Sequence, residues 1–133
     1  MIITQPKELI GAFVNVMQGW PAEASWGNHN AMGLVRDGKL VAGLIFNGYE
    51  GANVNMHISA IDGRKWLTPE FLFAAFDYPF NELGRKRVTA FMRSKNERAI
   101  SFAKNLGFEY EGTMKNYYAD DDAVVYGLLR ENC

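Results

Sequence analysis

Between Asn53 and Met92 the sequence reads strand, helix, strand, and this order constrains the fold more than any other feature. Residues Asn53 to Ala60 alternate: Val54, Met56 and Ile58 point one way, Asn55, His57 and Ser59 the other. That is the period of a strand with one apolar and one polar face. Asp62-Gly63 ends the strand. Thr68, Pro69 and Glu70 then form a helix start. The threonine hydroxyl can cap, the proline has a helical φ and no N–H to leave unpaired, and the glutamate sits near the positive end of the dipole. Phe71, Leu72, Ala75 and Phe76 supply the apolar side, and Pro79 should kink or divide the helix because it lacks an N–H and crowds the preceding turn. Gly84 closes the region and Arg87 to Met92 is the next strand. A helical crossover between two strands of one sheet makes those strands parallel, with a right-handed connection.

The flanking segments add antiparallel strands. Pro6 to Met17 reads as a helix, with Leu9, Ile10, Phe13, Val14 and Met17 at helical spacing. Gly19, Pro21 and Gly27 break the next stretch into a loop. Strands Ala31 to Arg36 and Leu40 to Phe46 are joined by Asp37-Gly38, a strong hairpin signal. Asn96 caps a helix running to about Asn105, with Ala99, Ile100, Phe102 and Ala103 inward and Gly107 as its left-handed stop. Strands Phe108 to Met114 and Ala123 to Leu129 close the chain around an aspartate-rich hairpin. The expected fold is α+β: one domain over residues 1–133, with a mixed, mostly antiparallel, twisted sheet and helices on both faces.

Composition narrows the function classes. The chain has 133 residues, 48% hydrophobic and 14% aromatic, enough to bury a core. Lys and Arg total 14 against 15 Asp and Glu, so no basic excess marks a nucleic-acid or anionic-membrane partner. The lone cysteine, Cys133, excludes an internal disulfide framework and a cysteine zinc cluster, and as a catalytic thiol it would need a positioned base. Met1 to Lys7 lacks the basic and apolar pattern of a secretion signal, and no apolar run approaches the ~20 residues that span a bilayer. The expectations are a cytoplasmic setting, no membrane or nucleic-acid partner and no metal.

The segment Asn96-Glu97-Arg98-Ala99-Ile100-Ser101-Phe102-Ala103-Lys104-Asn105-Leu106-Gly107-Phe108-Glu109-Tyr110-Glu111-Gly112 resembles the pattern N-x-x-A-x-x-F-x-x-x-L-G-F-x-x-E-G of the GNAT superfamily of N-acetyltransferases. Tyr78 to Val88 is similar to the helix-to-strand passage of members near the ribosomal-protein N-terminal acetyltransferases. With the element order, the resemblance covers residues of about 5 to 130. It implies the GNAT fold, with a sheet splayed between Asn53–Ala60 and Arg87–Met92. It also implies acetyl transfer from acetyl-CoA (coenzyme A) to an amine, small-molecule or peptide.

On this reading the loop Gly63, Arg64, Lys65, Trp66, Leu67 and Thr68 cradles the pyrophosphate at a helix N-terminus, where N–H groups and the dipole favour anions. Ile58, Ser59 and Asn96 lie along the pantetheine arm, and a backbone N–H near His57 to Ser59 polarises the thioester carbonyl. Two positions depart from the family pattern. The loop lacks the inner glycines of Q/R-x-x-G-x-G/A, and Ala103 stands where many members place a tyrosine that protonates the departing thiolate. An alternative therefore stays open: a GNAT-fold protein that binds coenzyme A or a protein partner without turnover.

His57 is the candidate general base, on the polar face of its strand, with an ordinary pKa of about 6.5 that suits proton transfer near neutrality. His29, in a loop, is the weaker candidate. Asn55 and Ser59 share the face of His57, and Glu111 is placed either to orient an amine or to sit on an exposed strand. Asp120-Asp121-Asp122 reads either as an attractor for a cationic acceptor or as a solvated run. Trp20, Trp26, Tyr49, Tyr117 and Tyr118 suit an acceptor wall, a lid over the core or the contact of a homodimer.

Overall fold

The computed structural model describes residues 1–61 and 68–133. Its elements, in chain order, are β1 (Ile2–Ile3), α1 (Lys7–Met17), β2 (Asn30–Arg36), β3 (Lys39–Glu50), β4 (Asn53–Ala60), α2 (Pro69–Asp77), β5 (Arg87–Arg93), α3 (Glu97–Asn105), β6 (Glu109–Tyr118) and β7 (Asp121–Leu129). The seven strands form one mixed sheet in the order β1-β2-β3-β4-β5-β7-β6. Neighbours are antiparallel except β4 and β5, which are parallel as the crossover requires. No described helix is long and apolar enough to cross a membrane.

The local signals act as expected where they are chemical. Thr68 Oγ1 accepts from the N–H of Phe71 at 3.1 Å and Asn96 Oδ1 from that of Ala99 at 3.2 Å, so both helices start on side-chain caps. Pro79 does divide its helix. α2 stops at Asp77 and a single π turn, Tyr78–Glu82, follows, in which the proline has no donor to satisfy.

Three features depart from the sequence reading. β1 has no counterpart in it, because two residues show no period. β3 runs past Phe46 to Glu50, bent by a register shift between Asn47 and Glu50 where Gly48 takes a φ of 64°. β6 and β7 extend into the aspartate-rich hairpin. There each aspartate finds a partner: Asp120 pairs with Arg93, Asp121 accepts from Ser94 and the N–H of Lys95, and Asp122 accepts from the N–H of Asn116. The run ties the hairpin to the end of β5.

Two apolar layers hold the sheet. On one face Leu44, Phe46, Val54, Met56 and Val88 pack with Phe71 and Ala75 of α2, Ala103 of α3 and Phe108. Burying one such side chain contributes roughly 1.5–3 kcal/mol. On the other face Ile10 and Val14 of α1 meet Ala31 and Ile45. α1 can approach because Gly33 and Gly43 stand opposite each other in the β2–β3 ladder beneath it. A Cβ at Gly43 would come within 2.8 Å of Val14 Cγ2 and 3.0 Å of Phe13 Cδ1. Val14 is wholly buried and stiff at χ1, so the helix itself must move. Gly43→Ala is therefore expected to lower stability by ~1–3 kcal/mol, read as a lower urea midpoint with an unchanged slope. An unchanged midpoint would show that the α1 seat does not need glycine.

Candidate active site

The parallel pair β4–β5 is bonded over only three residues: Asn53 with Arg87, Val54 with Val88 and Asn55 with Thr89. Beyond Thr89 the strands part. β4 continues to Ala60 bonded to β3 alone, and β5 to Arg93 bonded to β7 alone. Two strand edges thus face one another with no partner between them. The gap opens into a cleft of ≈970 Å³ lined on one side of the sheet by α2 and α3 and on the other by Met17, Gln18 and Trp20. It passes between the two faces.

His57 and Phe91 stand at the vertex. Each lies two residues beyond the last paired residues, Asn55 and Thr89, on the α1 face, and their rings meet edge-on at 5.2 Å. His57 is only 8% exposed, with Trp26 against its other side at 5.0 Å. The face of β4 expected to be polar and open is thus covered at His57. Burial lowers the imidazole pKa from 6.5 to about 4, so the ring is neutral at physiological pH and does not titrate near neutrality. This corrects the expectation of a base poised near 6.5.

Asn47 completes the arrangement. Its Nδ2 points to the Trp26 carbonyl at 3.5 Å, and its Oδ1 lies 3.0 Å from His57 Nε2. That oxygen only accepts, so Nε2 carries the hydrogen and Nδ1 keeps a lone pair. Asn47 escapes the sequence reading because the pattern of its strand ends at Phe46. Phe91 escapes it because an aromatic residue in an apolar strand carries no mark of a site.

The other candidates separate. Ile58, Ser59 and Asn96 line the cleft together with His57. Thr68 does not, and lies instead beside Met1, Ile2 and Arg36 in a shallow depression. The Gly63, Arg64, Lys65, Trp66 and Leu67 part of the expected cradle lies outside the described residues. Asn55 accepts from Asn53 Nδ2 at 3.0 Å. His29 is bonded through Nδ1 to the Gly27 carbonyl at 2.8 Å, and Tyr49 to that of Phe46 at 3.0 Å; neither lines the cleft. Glu111 is paired with Arg87 across the glycine at position 127 of β7. Ala103 lines the cleft at 5% exposure, leaving no hydroxyl at that position. Tyr118, also in the lining, has its phenol pKa raised by burial.

No protein-family model matches the sequence, and no curated protein does. Solved structures do match. A probable acetyltransferase is 23% identical over 80% of this chain, with a TM-score of 0.70, and this chain spans 64% of its length. A variant of the spermidine N-acetyltransferase SpeG from Vibrio cholerae is 12% identical, with a TM-score of 0.76 over 98% of this chain and 94% of its own. The protein yncA from Salmonella typhimurium, whose structure holds its cofactor acetyl-CoA, is 14% identical, with a TM-score of 0.73 over 97% and 92%. The chain has the fold of the GNAT acetyltransferases.

The buried histidine has a consequence for stability. In the unfolded chain His57 takes up a proton near pH 6.5, in the folded chain only near 4. Its contribution is fully present above 6.5 and is lost as pH falls toward 4, where the unfolded state binds the extra proton; the whole loss is about 3 kcal/mol. The difference in urea stability between wild type and His57→Gln should therefore change between about pH 7 and about pH 4.5, wild type losing more. Equal losses in the two proteins would show that the native ring is not kept neutral.

Proposed function

We propose that residues 1–133 act as one acetyltransferase domain of the GNAT type, moving an acetyl group from acetyl-CoA directly onto an amine. The observation that carries this is the parting of β4 and β5. The two facing edges offer unpaired main-chain donors and acceptors along an extended slot, which suits the extended, amide-bearing arm of coenzyme A. The volume of ≈970 Å³ and the polar residues Ser59 and Asn96 in its lining fit such a ligand. Ile58, Ser59 and Asn96 would hold the arm, and the Gly63–Thr68 segment would take the phosphates. Bound acetyl-CoA supplies the activated acetyl group.

The chain's own residues then have defined tasks. A main-chain N–H of the unpaired β4 edge, between His57 and Ser59, polarises the carbonyl to be attacked. His57 offers a lone pair at Nδ1, held in that tautomer by Asn47. With a pKa of about 4, it cannot take the proton from a free alkylammonium of pKa about 10.4, a transfer costing roughly 9 kcal/mol. The amine must arrive neutral. His57 accepts the proton only once bond formation has made the nitrogen acidic. The second reading, binding of coenzyme A without turnover, draws on Ala103 and its missing hydroxyl.

Acetyl-CoA at ~100 times its dissociation constant should stabilise the fold by ~2.7 kcal/mol, and thiol release should follow on adding amines. His57→Ala should lower turnover by ~10²–10⁴-fold with acetyl-CoA binding intact. The wild-type rate should climb with pH along the acceptor's ionisation, with no inflection near 6.5. Binding without thiol release for any amine would select the second reading. Full turnover per folded His57→Ala molecule would remove the histidine from the chemistry.

A further inference from the structure

Six rings form an unbroken chain, and four of them, Trp20, His57, Phe91 and Tyr118, line the cleft. Trp20 meets Trp26 at 5.7 Å, Trp26 meets His57 at 5.0 Å and His57 meets Phe91 at 5.2 Å. Phe91 meets Tyr117 at 5.3 Å, and Tyr117 meets Tyr118 at 5.0 Å. Arg93 closes the line, 4.3 Å over the Tyr118 ring. The chain links the loop after α1, both strands at the parting and the β6–β7 hairpin.

We infer that this wall selects an acceptor in which a single primary amine stands beside an aromatic ring. The inference rests on the acetyltransferase reading and names the acceptor class of that site. Charge argues first. Among the described residues the only carboxylate lining the cleft is Glu97, at the start of α3 on the opposite face of the sheet. The hairpin aspartates at the Arg93 end of β5 are engaged: Asp120 by Arg93, Asp121 by Ser94 and Lys95, and Asp122 by the N–H of Asn116. A polyamine needs several counter-charges, and among the described residues the α1-side lining supplies none, whereas the rings of Trp20, His57, Phe91 and Tyr118 in the lining offer faces and edges to an aromatic group.

Rigidity argues second. Trp26 Nε1 donates to the Gly11 carbonyl at 3.2 Å, where the missing Cβ makes room for the indole. The Asn15 side chain, in a residue 1% exposed, donates from Nδ2 to the carbonyls of Ala22 at 3.1 Å and Ala24 at 2.9 Å, and the main-chain carbonyl of Asn15 accepts from the main-chain N–H of Trp20 at 2.8 Å. A buried amide thus pins the loop carrying both tryptophans. Rings held before binding cost little to order. The same group beside the amine is presented by a free arylalkylamine or by a peptide beginning with an aromatic residue.

The test uses the full chain with acetyl-CoA and four amines: 2-phenylethylamine, a phenylalanine-initiated tripeptide amide, butylamine and spermidine. Thiol release should give a kcat/KM for at least one of the two aromatic amines about tenfold or more above butylamine and spermidine, and which of them leads identifies the source. Trp20→Ala should shrink the preference over butylamine by about tenfold, and Trp20→Phe should restore most of it. The acetyl-CoA thermal shift of each variant confirms that it is folded. Spermidine outrunning both aromatic amines would overturn the inference and leave the acetyltransferase reading standing. Calorimetry of 2-phenylethylamine and the tripeptide amide with the coenzyme A-loaded protein separates the reverse case. Binding without turnover would sink the transferase and keep the wall, and no binding of either would sink the wall.

Discussion

Everything at the candidate site depends on the way β4 leaves β5 after three paired residues. A parallel pair bonded along its whole length would leave no main-chain group over and no opening through the sheet. Parting costs several strand hydrogen bonds, so other contacts must hold each strand in place. β4 is held by β3 over its full length and β5 by β7. The antiparallel flanks give the rigidity that allows the centre to open. Their own strength rests on packing, on one side under α2 and α3 and on the other under α1 seated against the glycine pair of β2 and β3.

At the vertex the structure trades basicity for order. A histidine on an exposed strand face would titrate near neutrality. Here Trp26 and Phe91 exclude water from it, and the charged form loses its solvation. What remains is a neutral ring in one tautomer, fixed by an asparagine that is itself oriented by the Trp26 carbonyl. Such a group is poorly suited to extracting a proton from a stable ammonium. On the proposed function it receives one late, when the nitrogen has become acidic. The rings that lower its pKa belong to the same aromatic chain that borders the cleft, so one packing arrangement sets both the state of the imidazole and the shape of the opening.

The aspartate run illustrates how a surface pattern can mislead in either direction. Read as a sequence, three consecutive carboxylates suggest attraction for cations or simple solvation. In the fold each is taken up by a different neighbour, and together they bind the β6–β7 hairpin to the turn that starts α3.

The sequence by itself determined the helices, every strand but the two-residue β1, and their order. Alternation over Asn53–Ala60, the caps at Thr68 and Asn96, the division at Pro79 and the parallel crossover are local consequences of side-chain period and backbone chemistry. Those act over a few residues and survive any packing. The pattern from Asn96 to Gly112 was equally legible, and it pointed to the fold that the solved structures share. Tertiary structure alone decided which groups meet at the vertex. Asn47, His57, Phe91 and Trp26 are distant in sequence, and nothing in their local patterns says that they touch. It also decided the state of His57, because a pKa depends on the water removed by neighbours that arrive from three other elements of the chain. Burial is a property of the assembled sheet, and no period within one strand encodes it.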